Sequence, residues 1–366
     1  MKKIVQKKKN QLVWVIFLPI VLTIIGTFFV FGASAVRSFQ ESGDSLYYFR
    51  LQVIWLLIGI ITMFFFSWFN YHRLYYWAFL LMSATIVLLF LVLIPGFGSH
   101  VGGARRWINL GFFNLQPTEL AKLATLIYLC SWFINRERKR FFSFLIFIGL
   151  LMFLIFLQPD MGTASIIFLM GIGIYFLVGI ELHYLLFLFP AALGIGYWLI
   201  KTSPYRFKRL LAFFNPALDP LGITYHINQI VISITNGGFF GQGFGASKQK
   251  YLFLPEAHTD SIFAIISEEV GLFGSLLLIG IFLLLIYFIY KVTINASDRY
   301  GRLLAGGIFL FFNLQVCINL ASMVNLIPLT GVPLPFISYG GSNLLVSFAF
   351  IGILINIGRQ SKIYHK

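Results

Sequence analysis

Residues 261–290 read SIFAIISEEVGLFGSLLLIGIFLLLIYFIY, thirty positions carrying only two charges, Glu268 and Glu269. Crossing a hydrocarbon core takes about 20 mostly apolar residues in a helix, so this stretch reads as a transmembrane helix with two carboxylates near its start. Similar windows precede it at Leu12–Ala35, Leu51–Phe69, Leu74–Pro95, Pro117–Ile134, Phe141–Leu157, Thr163–Gly179 and Leu182–Ile200. Leu303–Leu326 and Asn343–Ile357 follow. The expectation is an all-α integral membrane protein of about ten transmembrane helices, a single polytopic domain over residues 1–366. A closed barrel is excluded, because its strands would alternate inside and outside rather than run continuously apolar. Composition agrees: 59% of residues are hydrophobic and 11% charged, where a soluble domain carries about 25% charged residues.

Charge fixes an orientation. With the N-terminus inside, the inner segments hold sixteen basic residues, from Lys2 through Arg73 and Arg136–Arg140 to Lys366, against Glu137, Glu181 and Asp298. The remaining eleven basic and nine acidic residues nearly cancel. Such an asymmetry is the positive-inside signature, and it places both termini in the cytoplasm. It also leaves no basic surface for nucleic acid, since the cations are scattered over short loops facing anionic lipid. Ala33-Ser34-Ala35 looks like a signal-peptidase site, but the apolar run before it exceeds a signal-peptide core of about 7–15 residues, so the first helix is expected to stay. Cys130 and Cys317 fall inside predicted helices, which argues against a disulfide or a metal clip.

Three segments between helices are long, and all lie outside by the charge argument: Gly96–Gln116, Lys201–Asp260 between helices seven and eight, and Pro328–Ser342. Long loops on one face of a rigid scaffold are where function tends to sit. The second holds Arg206, Lys208 and Arg209, an amphipathic stretch Tyr225–Thr235, and a glycine-rich run from Gly237 to Gly245. Beside Lys248 and Lys250 that run suggests a phosphate cradle; its plainer reading is a surface or re-entrant loop. The loop closes with Leu254-Pro255-Glu256-Ala257-His258-Thr259-Asp260 at the mouth of helix eight. Asp260 there is either a helix cap or a working carboxylate. Glu268 and Glu269, and the Glu119 and Lys122 pair three apart on helix four, are embedded charges that must be paired or functional. Together these features suit a cavity for an amphiphile with a phosphate head group.

Several stretches resemble the SEDS family (shape, elongation, division and sporulation), the peptidoglycan polymerases FtsW and RodA. They are Arg106-Trp107-Ile108, Gln116-Pro117-Thr118-Glu119-Leu120-Ala121-Lys122, Gln158-Pro159-Asp160-Met161-Gly162-Thr163, Gly237-Gly238 with Gly241-Gln242-Gly243, residues 254–260 with Glu268-Glu269, and Pro333 to Ser342. The resemblance covers essentially the whole chain. Residues 245–250 and the Arg209 to Pro216 segment look more like the division member than the elongation one. His226 stands where the family often has Gln, and Asn343 where it often has Ser.

The resemblance implies an inverting glycosyltransferase of the cytoplasmic membrane. It would polymerise lipid II on the outer face, release undecaprenyl diphosphate, and work with a class B penicillin-binding protein and other divisome proteins. Asp260 then aligns with the general base, and Glu256 and His258 beside it with substrate contacts. Arg105, Arg106, Lys248 and Lys250 are candidates for the departing diphosphate, and Glu119 with Lys122 would organise the cavity. No metal-ligand spacing is visible, so a divalent cation (Mg or Mn) would ride on the lipid diphosphate. A lipid II flippase is the chief rival. It predicts broken helices at matching positions in two halves, which the sequence lacks. A purely scaffolding role leaves the charged outer segment unexplained.

Overall fold

The computed structural model describes residues 2–101, 104–109, 111, 113–134, 141–179, 203–215, 218–219, 222–251 and 253–361, with isolated positions between 190 and 201. Eleven helices are named here in chain order: α1 (Lys2–Ser42), α2 (Tyr47–Trp68), α3 (His72–Leu91), α4 (Pro117–Trp132), α5 (Phe141–Phe156), α6 (Met161–Leu177), α7 (Pro204–Phe214), α8 (Tyr225–Gly237), α9 (Ile262–Ile294), α10 (Arg299–Met323) and α11 (Gly341–Gln360). Nine of the ten apolar windows fall on helices among the described residues. The seventh, Leu182–Ile200, lies outside them but for those isolated positions, and residues 102–103, 136–140, 181, 216, 220 and 362–366 lie outside them entirely. The first helix runs unbroken past Ala35 to Ser42.

Six helices, α1, α2, α3, α9, α10 and α11, are long and apolar enough to cross a bilayer. The apolar α5 and α6 are shorter, at 16 and 17 residues, or roughly 25 Å at 1.5 Å per residue. Local signals start several of them where expected. Pro117 and Pro204 stand in the first turns of α4 and α7, where a missing N–H costs nothing. Asp160 caps α6 by accepting from the Thr163 amide, and Asp298 caps α10 by accepting from Gly301.

α11 is the central helix, buried along almost its whole length and packed closely against α2. α4 sits between α3 and α6, while α9 joins α1 to α10. The apolar side chains of α2, α3 and α9 that point away from this core are exposed, Ile61, Phe79 and Leu277 among them. A water-soluble fold could not tolerate an apolar exterior of that extent; lipid can.

The chain is not all helix. The Gly96–Gln116 segment folds into a three-stranded antiparallel sheet, β1 (Gly98–Val101), β2 (Ala104–Asn109) and β3 (Asn114–Leu115), in the order β1-β2-β3. Ser99 pairs with Trp107 and His100 with Arg105 across a bulge, and Ile108 pairs with Leu115. This hairpin rises directly into Pro117 and so fixes where β2 stands relative to α4.

Candidate functional site

Three sequence motifs distant along the chain meet at Asp160. Its carboxylate accepts from the Thr118 hydroxyl (3.2 Å) and the Gln116 side-chain amide (3.4 Å) while capping α6. The Gln116 backbone in turn donates to Ser342 Oγ at the start of α11. Arg106 on β2 closes the group from above, with Nε donating to the Gln158 carbonyl (2.9 Å) and Nη2 to that of Pro159. Side chains on a strand alternate between faces, so Arg106 reaches this turn and its neighbour Arg105 does not.

Over this base lies a small cleft of about 30 Å³, room for about two water molecules, lined by Arg106, Asp160, Met161, Arg206, Arg209 and Gly331, with Pro159 and Thr330. The 201–260 segment supplies two of its three guanidinium groups. α7 presents Arg206 and Arg209 one turn apart; Arg209 Nη1 donates to the Leu329 carbonyl (2.9 Å), and Arg206 stacks near the Phe156 ring. The lining thus holds three guanidinium groups and the committed Asp160 carboxylate.

Asp260 borders this cleft at Gly331: its Oδ2 lies 3.7 Å from where a Cβ on that glycine would stand. Its carboxylate is not spent on capping, for the N-cap of α9 is Ser261, which makes no side-chain cap bond. The Thr259 hydroxyl lies 3.4 Å from Asp260 Oδ1, and Asn319 of α10 clamps the backbone by donating to the carbonyls of both Asp260 (2.9 Å) and Val332 (2.8 Å). Burial above all, then the charge of Glu256, pushes the Asp260 carboxyl up to about 7, against the opposing pull of Arg209. Desolvation disfavours the charged form, and this group is therefore poised between its two states near neutrality.

The other expected site residues divide. Glu256 turns toward α1, with its Oε1 3.5 Å from Arg37 Nη1 and its Oε2 accepting from Thr259 (2.9 Å). His258 is buried between the rings of Tyr48 and Tyr339, and its carbonyl accepts from the Tyr339 amide. Burial lowers its imidazole to about 4, so it is neutral at pH 7. Glu119 and Lys122 form a fully buried ion pair at 2.7 Å, Lys122 lying over Phe311; neither lines the cleft. Lys248 is exposed, and its backbone amide donates to Glu268. Lys250 is tied to Glu269 (3.3 Å) and to the Gly245 carbonyl.

Those last contacts account for the glycine-rich run. α9 breaks at Gly271, where φ is 68°, and residues 237–243 pack backbone to backbone into the break. Gln242 and Gly243 donate to the carbonyls of Glu268 and Glu269, while Leu272 and Phe273 donate back to Gly238 and Phe239. Two amides of the run are thus engaged by α9, those of Gly238 and Gly241 donate to Thr235 and Gly237, and the two embedded carboxylates are satisfied by Ser247, Lys248 and Lys250.

Three residues in or near the cleft are not marked out as site residues by the sequence motifs. Arg206 and Arg209 were visible only as part of a basic stretch, with nothing to aim them at Asp160 or Asp260. His226 sits with Nε2 2.9 Å from Ser261 Oγ, lowered to about 4 by burial and then by Arg209; its departure from the family's usual Gln was the available signal.

The chain matches the FtsW/RodA/SpoVE family, described as cell cycle protein, over residues 11–363. It is 38% identical to a probable peptidoglycan glycosyltransferase FtsW of Trichlorobacter lovleyi, over 95% of this chain and 93% of that one. It is 37% identical to stage V sporulation protein E of Bacillus subtilis, over 97% and 99% of the two chains. Among solved structures, it superposes with a TM-score of 0.79 and 28% identity on a chain from work on the structural coordination of polymerization and crosslinking by a peptidoglycan synthase complex, covering 95% of this chain and 97% of that one.

Proposed function

The chain belongs to the FtsW/RodA/SpoVE family, and from that premise we propose that it is a peptidoglycan glycosyltransferase that polymerises lipid II at the outer face of the cytoplasmic membrane during cell division. The observation that carries this reading is Asp260, an uncapped carboxylate of raised pKa, on the border of a cleft holding three guanidinium groups.

Asp260 takes the proton from the 4-hydroxyl of the acceptor's terminal GlcNAc. That oxygen attacks the anomeric carbon of the donor MurNAc from the face opposite the leaving group, the bond to the diphosphate breaks, and the configuration inverts. The electron pair leaves with undecaprenyl diphosphate, and the added charge needs fixed cations nearby. Arg106, Arg206 and Arg209 are placed for that role; Arg105, Lys248 and Lys250 are not in this cleft. Glu119 and Lys122 brace α4 beneath it, and Glu256 and His258 shape the turn that carries the base. Among the described residues no group of three His, Cys, Asp or Glu could hold a metal, and Asp160 already has three donors. A divalent cation would therefore arrive on the substrate's diphosphate, so EDTA should leave the melting temperature unchanged whatever it does to the rate.

The ten apolar windows support ten spans and the charge asymmetry supports both termini in the cytoplasm, which would put the cleft outside, in reach of a class B penicillin-binding protein that crosslinks the product. The test is labelled lipid II supplied to the purified chain with such a partner. Long glycan strands are expected; no strands, with lipid II crossing vesicle membranes instead, would favour the flippase. The 37% identity to a sporulation protein over nearly the whole chain favours one second reading, the same reaction in spore formation, which rescue of a division-depleted strain would exclude.

A further inference from the structure

The turn bearing Asp260 is held from the far side by α1 and α2. Arg37, near the outer end of α1, bridges two carboxylates: Glu41 one turn on (2.8 Å) and Glu256 across the interface (3.5 Å). Glu41 accepts from the Tyr48 hydroxyl, and the Tyr48 ring lies 4.8 Å from that of His258. Glu256 adopts a left-handed backbone, φ 51°, a conformation that a side chain of this size takes up only when its surroundings enforce it. Its carbonyl accepts from the amides of Thr259 and Ser261, and its side chain accepts from the Thr259 hydroxyl. That same hydroxyl lies 3.4 Å from Asp260 Oδ1.

We propose that Arg37 is a positioning residue for the reaction: its ion pair with Glu256 holds the 254–260 turn so that Asp260 faces the cleft, and offsets the Glu256 charge that Asp260 would otherwise feel. The inference rests on Asp260 being the base. Arg37 touches neither Asp260 nor the cleft lining; it acts through Glu256. The charged and titratable groups around Asp260 are Glu256 on its own turn and Arg209 from α7. Those around Glu256 are Arg37 from α1, His226 from α8 and His258. Both histidines are neutral near pH 7, which leaves Arg37 as the cation paired with Glu256.

Removing Arg37 leaves Glu256 uncompensated, and a like charge disfavours ionisation of its neighbour. The experiment measures polymerisation of labelled lipid II against pH in the full chain with its class B partner, for wild type, Arg37→Ala, Arg37→Lys, Glu256→Gln, the Arg37→Ala/Glu256→Gln double variant and Asp260→Asn. Arg37→Ala is expected to lower the rate several-fold and to move the acid limb to higher pH by a few tenths of a unit, with Arg37→Lys restoring most of both. Glu256→Gln moves the limb the other way, and the double variant follows the pH dependence of Glu256→Gln, because the charge that Arg37 offsets at the base is that of Glu256. An unmoved limb in a folded Arg37→Ala protein, or a double variant whose shifts simply add, would overturn the proposal. Activity in Asp260→Asn would instead bring down the base assignment itself.

Discussion

Burial makes the charged form of Asp260 costly, and with Asp260 as the base proposed above it sets the expected pH dependence of the reaction. A carboxyl held at about 7 by burial and by Glu256 is mostly protonated below that value and cannot accept a proton. The initial rate should therefore fall about tenfold for each pH unit on the acid side of neutrality, a profile far above that of an ordinary aspartate near ~3.9. Since Arg209 opposes the shift, Arg209→Gln should carry the acid limb to still higher pH; an unmoved limb would separate Arg209 from the base. The linkage to stability has a definite sign. A folded-state value above the unfolded one means the folded protein binds the proton more tightly, so stability declines as pH rises from the ordinary carboxylate range through 7. Asp260→Asn should then melt at the same or a higher temperature than wild type at pH 8. Asp260 was legible because its motif ends at a helix mouth. Of the three guanidinium groups in the cleft, Arg106 was legible from its motif, whereas Arg206 and Arg209 were not, because they meet it only through a hairpin and a short helix.

At the scale of elements, the break in α9 is the feature on which the outer segment depends. Gly241, at φ 83°, has no room for a side chain: a Cβ there would lie 2.2 Å from the Glu269 carbonyl oxygen. Overpacking costs about 1–3 kcal/mol and a left-handed non-glycine residue about 1–2 kcal/mol more. Gly241→Ala should accordingly lower the melting temperature in detergent, and free Lys248 and Lys250 for labelling; a variant that melts like wild type would contradict this packing. The Glu119 and Lys122 pair makes a different prediction. Removing one member of a buried pair costs about 3–5 kcal/mol, whereas exchanging both for apolar residues of similar size is often neutral. Glu119→Leu alone should destabilise strongly and Glu119→Leu/Lys122→Met far less, as read by denaturation in detergent. The sequence showed the pair and the apolar windows, whose length and periodicity need only local chemistry. It did not show the 98–115 sheet, since strands of four, six and two residues are too short to display an alternating pattern. Nor did it show why the glycines cluster: close contact with a kink at Gly271 leaves the same composition as a phosphate loop.

For the molecule as a whole, lipid and charge together determine the arrangement. The apolar exterior of α2, α3 and α9 requires a bilayer, and the cationic excess of the segments read as inner is the argument for the orientation proposed above. The Asp260 turn, α7, the β hairpin and the α10–α11 loop share one face, and in the orientation proposed above that face is the outer one, where a lipid-anchored substrate would present its diphosphate and sugars at the membrane surface. The central claim is that this face carries a single general base. Its most direct test is the rate of lipid II polymerisation by the reconstituted chain and its class B partner, wild type beside Asp260→Asn, with melting temperatures measured on the same preparations. A loss of roughly 10²–10⁴-fold, the usual contribution of a positioned base, with no fall in melting temperature is predicted. A folded Asp260→Asn protein that builds glycan strands within a few-fold of the wild-type rate would contradict it.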